Sequence, residues 1–185
     1  MYRTLSDVSD IRSGTYAKTS KTGDGVYLQG KHFDANGSLT KALYLEVEMT
    51  AEVRKHLLKG GDVLLAAKGP RNFAALVPPD CPPAVASTTF FVISPRAEQV
   101  LPEYLLWALN SPSAQAKLRH GAKGSSIVSI SKEILSKVTI PVPSLKKQRA
   151  ILEIDALASR EGGLRTAISD LRRKLIRQGI RNAIN

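Results

Sequence analysis

Few residues of this chain are of types that could do covalent or metal chemistry, and their spacing argues against it. Cys81 is the single cysteine and lies in "PPDCPP". Its prolines mark a loop, a lone thiol makes no internal disulfide, and a nucleophile there would need an oriented histidine that the sequence does not identify. His32, His56 and His120 stand far apart, without metal-ligand spacing, so each reads as a surface or packing residue. Glu46 and Glu48 are two residues apart, which on a strand puts both carboxylates on one face. A metal-dependent hydrolase is one reading of that pair, and the wet face of a strand is the other. Pro79-Asp80 is not followed at nuclease spacing by a Glu-x-Lys, and neither a phosphate loop nor a glycine-rich nucleotide loop occurs. The Asn- or Asp-Pro-Pro-aromatic tetrapeptide of amino-methyltransferases is also missing. The expectation is a chain with no catalytic residue and no metal site.

What stands out instead is charge: 27 Lys+Arg against 16 Asp+Glu, a net +11. Such an excess points to a polyanionic partner, nucleic acid first and an anionic membrane surface second, with a merely solvated basic surface as the competing reading. No apolar run approaches the ~18 residues of a membrane span, and "MYRTLSDVSDIRS" lacks the apolar core of a signal peptide. The expected location is cytoplasmic, with no membrane partner.

The elements that must position these charges are legible in outline. At 185 residues and 43% apolar content, one domain with an appendage is expected. Leu5, Val8 and Ile11 predict a short helix stopped by Gly14, followed by an exposed loop over 13–25. "GVYLQG" and "ALYLEVEM" read as strands around an Asn36-Gly37 turn, with Leu45, Val47 and Met49 on the buried face. Thr50 is placed to cap a helix over "AEVRKHLLK". "DVLLAAK", "NFAALV" and "STTFFVIS" read as further strands, the last two separated by the proline-rich loop 78–83. "LPEYLLWALN" and "SPSAQAKLRH" then open two helices with proline in the first turn, where its missing N–H costs nothing. Ser131 caps another helical turn, "VTIPV" returns as a strand, and Ser144 is well placed to cap the terminal helix.

That helix carries a seam. Ala150, Ile154, Leu157, Glu161, Leu164, Ile168, Leu171 and Leu175 follow alternating four- and three-residue steps, a heptad pattern that only Glu161 breaks. Residues 146–185 hold 10 Lys+Arg and 4 Asp+Glu, so more than half of the excess charge sits here. A helix over 145–182 is about 55 Å long at 1.5 Å per residue, against roughly 30–35 Å for a globular body of this size. Its apolar seam therefore calls for a partner, unless the chain folds back at Gly162-Gly163, where two glycines cost about 2 kcal/mol of helix propensity.

Four blocks, "LSDVSDIRSG", "LKGGDVLLAAKG", "LPEYLLWALNSP" and "GSSIVSISKEILSKVTIPVPSLKKQRAILEI", in this order, resemble a target-recognition domain plus helical spacer from the specificity subunit of type I restriction-modification systems. The resemblance covers nearly all of the chain, and its last two blocks are the specific ones. It implies an α+β fold: a mixed α/β target-recognition domain over 1–143, then a helical spacer over 144–185 that pairs antiparallel with a partner helix. Family members commonly carry two such domains and two spacers, whereas one copy of each block occurs here. The resemblance thus implies half of such a subunit, and a homodimer through Ile154, Leu157, Leu164, Ile168, Leu171 and Leu175 would rebuild the whole. It also implies double-stranded DNA as ligand and a separate methyltransferase subunit that carries the S-adenosylmethionine. A restriction-translocase subunit is a further partner that it allows. A stand-alone DNA-binding module without a methyltransferase is the alternative function, and neighbouring genes would separate the two.

Reading DNA requires polar and basic side chains on loops held by a scaffold. Tyr16, Lys18 and Lys21 in the loop 13–25 and Lys68, Arg71 and Asn72 in "KGPRN" qualify best. Lys123 and Ser125, with Ser126, in "HGAKGSS" could instead cap helices, and Lys31 in "QGKHFD" is a phosphate candidate. For each, base contact, phosphate contact and plain solvation all remain open.

Overall fold

The computed structural model of the chain describes residues 1–34, 37–40, 42–69, 72–121 and 129–184. It has two compact units, Met1–Gln148 and Arg149–Asn185. The first unit runs β1 (Tyr2–Thr4), α1 (Leu5–Val8), β2 (Ser9–Ser13), β3 (Gly25–Leu28), a 3-10 turn (Gly30–His32), β4 (Leu45–Val47), α2 (Ala51–Arg54) and β5 (Val63–Ala66). It continues with β6 (Ala74–Leu76), β7 (Ala84–Ala86), β8 (Phe90–Pro95), α3 (Pro102–Asn110), α4 (Pro112–Gly121), α5 (Lys132–Lys137) and β9 (Thr139–Pro141). The last helix, α6 (Leu145–Ile184), starts in that unit and makes up the second. This is the expected α+β class, a mixed α/β body with a long C-terminal helix.

Three sheets organise the first unit. One has the order β2-β8-β5-β6 and is antiparallel throughout; a second, β4-β3-β7, pairs β3 antiparallel to β4 and parallel to β7; β1 and β9 form a separate ladder. Strand β5 is buried along its whole length, and its alternation explains why. Leu64 and Ala66 join Val26 and Leu28 of β3 in one core cluster, while α3 packs near β5 and β6. Phe33, Phe73 and Phe90 meet inside this cluster with ring centroids 5.7 to 6.0 Å apart, the tilted and edge-on spacing that aromatic quadrupoles prefer. Tyr27 points the other way, into a smaller cluster with Ala17, Val47, Met49 and Val85.

Several local expectations change. Ile11 lies in β2, because the helix begun at Leu5 ends after one turn and Ser9 is already extended (φ −153°). The helix capped by Thr50, whose Oγ1 accepts from Val53 N at 3.4 Å, runs only to Arg54. Strands β3 and β4 are not joined by a tight hairpin: Phe33 bridges Leu39 in a local turn in which Gly37 has φ +78°, and Asn36 lies outside the described residues. On β4, Val47 is fully buried and Met49 nearly so, but Leu45 is 51% exposed. The expected positions of α3, α4, the Ser131 cap (Oγ accepting from Ile134 N at 3.2 Å) and β9 match.

Helix α6 runs through Gly162 and Gly163 without a break. Glu161 and Arg165 pair across the two glycines at 2.7 Å. At its start Gln148 is fully buried. Its Nε2 donates to the carbonyls of Gln99 (2.9 Å) and Pro143 (2.8 Å), and its Oε1 accepts from Leu101 N at 2.9 Å. Every hydrogen-bonding direction of the amide but one is thereby used.

Candidate nucleic-acid interface

The loop between β2 and β3 is exposed at its side chains but tied down by its backbone. Gly14 N donates to Phe90 O and Thr15 N to Ala86 O. Tyr27 Oη donates to Thr15 O at 3.1 Å, and Ala17 is buried. Further along, Thr19 bridges Val47, Ser20 N donates to Glu46 O and Asp24 N to Val47 O. Glycine is required at position 14, since a Cβ there would lie 2.1 Å from Ser87 O. Anchored in this way, the loop presents Tyr16, 78% exposed, and the exposed Lys18 and Lys21 to solvent. Side chains on a pinned backbone lose little further loop entropy on binding, which suits recognition.

The turn Ser87–Thr89 gathers other loops to the same place. Ser87 N donates to Leu28 O, at the end of β3 where the chain enters the Gly30–His32 turn that carries Lys31. Ala67 N and Lys68 N both donate to Thr89 O, and Ser87 and Thr89 hydroxyls lie 2.6 Å apart. The backbones of Thr15, Leu28 and Lys68, from three separate stretches of sequence, thus bond to residues 86–89, with Tyr16 one residue and Lys31 three residues further along their stretches, and Thr88 in that turn is exposed. "STT" reads there as the start of a strand, and nothing local shows that three loops converge on it. Lys18 and Lys21 sit further along their loop, beside β4. Glu46, half-buried, and the exposed Glu48 lie on or next to that strand, and acidic groups there disfavour phosphate at that end.

Asn72 is turned inward: its Nδ2 donates to Ala66 O at 2.8 Å, fastening the chain across the mouth of the β5–β6 hairpin. Its Oδ1 remains as an acceptor. Arg71, Lys123, Ser125 and Ser126 lie outside the described residues. Among the described residues no group of three or more His, Cys, Asp or Glu could hold a metal ion, and no helix is long and apolar enough to cross a membrane. Burial, and then Asp80, push the Cys81 thiol above its ordinary pKa, the opposite of what an activated nucleophile needs. His32 is buried, with Nδ1 accepting from Gln29 N at 3.2 Å, a packing role.

In the second unit, taken by itself, Ile154, Leu157, Leu164, Ile168, Leu171 and Leu175 are 49% to 67% exposed, although they share one heptad face.

The family model for the type I restriction modification DNA specificity domain matches residues 1–155. The chain belongs to that family. It is 30% identical over 120 residues to the type I restriction enzyme HindI specificity subunit of Haemophilus influenzae, an alignment covering 62% of this chain and 26% of that protein. Its fold is similar to that of the HsdS subunit from Thermoanaerobacter tengcongensis, with a TM-score of 0.67 at 24% identity, covering 94% of this chain and 46% of that one. A chain solved in a study of assembly and conformational transition of the type I R-M system gives a TM-score of 0.68 at 21% identity, again over 94% and 46%. The chain therefore spans under half the length of the specificity subunits that it matches.

Proposed function

We propose that this specificity-domain chain is a non-catalytic DNA reader that pairs with a second copy of itself through α6 and directs a separate methyltransferase to a split site. A restriction-translocase subunit is a further partner consistent with this role. The observation that carries the pairing is the exposed row from Ile154 to Leu175. Covering six half-exposed Leu and Ile side chains on each of two helices is worth on the order of 10–20 kcal/mol gross, comparable to or above the roughly 4–15 kcal/mol that association costs.

Charge selects the antiparallel arrangement. Residues 172–181 hold five Lys or Arg and no carboxylate, whereas 145–155 hold Lys146, Lys147 and Arg149 against Glu153 and Asp155. Parallel helices would set two strongly basic segments side by side; antiparallel helices set each against a nearly balanced one, and their dipoles oppose favourably. Two identical readers related by a two-fold axis see the same bases on opposite strands, so the site is an interrupted palindrome.

Sedimentation tests the pairing. The wild-type chain is expected as a dimer at micromolar concentration, and L164D/L171D as a folded monomer, because charge buried in the seam has no partner. A wild-type monomer, alone and with the methyltransferase present, contradicts the homodimer.

A further inference from the structure

Resting on the reading of the chain as a DNA-binding dimer, we propose that the C-terminal part of α6 is itself a second DNA contact. It would grip the phosphate backbone of duplex DNA through Lys174, Arg177 and Arg181 without reading bases. Lys174, Arg177, Gln178 and Arg181 recur at i, i+3, i+4 and i+7, are all exposed, and line one shallow groove on the helix surface. At 100° per residue Lys174, Arg177 and Arg181 lie on average roughly 120° around the axis from Ile168, Leu171 and Leu175, so pairing through the seam leaves these three cations at its edge and open to solvent, while Gln178 continues the seam.

Within their own helix Lys174, Arg177 and Arg181 make no ion pair among the described residues. Earlier in the helix, Glu161 neutralises Arg165 at 2.7 Å. From 172 to 181 there is no carboxylate, and Asp170, one turn before Lys174 on the same side of the helix, pairs with Arg173 at 3.8 Å, so one carboxylate faces the whole cluster. The helix dipole accounts for Arg181, which lies in the last turn, but its effect fades within that turn and does not reach Lys174, ten residues before Ile184. Lys174 to Arg181 spans about 10 Å of helix, the axial length of about three phosphates on one strand. Arg and Lys match phosphate.

An anionic membrane is the other polyanion to consider, because Ile176 and Ile180 are 62% and 56% exposed. Around the axis, however, Arg172 falls between Leu175 and Ile176. A lipid-facing arc would carry a charge at its middle, whereas duplex DNA requires nothing of that side.

The test uses the whole chain, wild type and K174A/R177A/R181A, titrated over a salt series against a duplex carrying the methylated motif and against a scrambled duplex. Each phosphate contact contributes about 0.9 to the slope of log K against log salt. The triple variant is expected to lower the slope by about two to three units for each copy engaged, equally on both duplexes, with dimerisation and motif preference unchanged. An unchanged slope on the scrambled duplex overturns the proposal. So does a shift in motif preference, or binding of wild type to phosphatidylserine vesicles that the triple variant loses. If the triple variant does not fold, K174Q/R177Q is judged by the same slope. Absence of motif preference in the wild type would sink the reading under Proposed function, while the scrambled-duplex slope would still judge the stripe.

Discussion

The side chain of Asn110 pairs with the backbone of Ala74 as another strand would: Oδ1 accepts from Ala74 N at 2.8 Å and Nδ2 donates to Ala74 O at 3.0 Å. Ala74 opens β6, the edge of the four-stranded sheet. The last residue of α3 thus satisfies an edge that would otherwise offer its backbone to a foreign strand.

Replacing Asn110 by Ala orphans both groups of a buried residue, at about 1–3 kcal/mol. N110D is expected to be worse, because a carboxylate cannot donate to Ala74 O. Urea unfolding midpoints should rank wild type, N110A and N110D in that order.

Asp62 is 3% exposed and gathers three donors: Arg12 Nη2 at 3.3 Å, Lys59 N at 2.9 Å and Ser94 Oγ at 2.7 Å. Arg12 also donates to the carbonyls of His56 and Leu57, so one ion pair ties β2, β5 and β8 to the loop after α2. D62A leaves the guanidinium half-buried without its counter-charge and should cost about 3 kcal/mol, read as a drop in the urea midpoint. A loss below about 1 kcal/mol would assign the pair to the surface class instead.

The basic loops and Asn72 should separate in a binding assay. K31A and K68A are expected to weaken all duplexes alike and to reduce the salt slope by about one unit each. K21A, near Glu46, should have the smaller effect. N72A should lose about 1 kcal/mol of stability, since its amide donates to Ala66 O. A changed methylation motif in N72A with unchanged stability would instead make it a base reader.

How much of this was legible beforehand depends on how local each signal is. Helices α3 and α4 announce themselves through Pro102 and Pro112 at their first positions, and α6 through a heptad row sustained from Ile154 to Leu175. Strands β5 and β8 are apolar runs that carry their own evidence. By contrast β1 and β7 are three residues long, and their partners, β9 and β3, are remote in sequence. A short strand owes its existence to that distant pairing, so its own residues show no period. The site follows the same rule. Exposed lysines were recognisable by composition, but the joining of the stretches that carry Tyr16, Lys31 and Lys68 to residues 86–90 depends on hydrogen bonds between residues up to 76 apart, Gly14 and Phe90. The inward turn of Asn72 likewise depends on the position of the Ala66 carbonyl.

The most direct measurement of the account is a map of methylated bases in the source genome with and without this gene. Deletion is predicted to erase methylation at one motif made of two inverted, identical half-sites around an unspecified centre, leaving other motifs untouched. Loss of no motif, or of one contiguous motif, would contradict the specificity role with split reading. Loss of a motif with two unlike halves would contradict the self-pairing of identical readers.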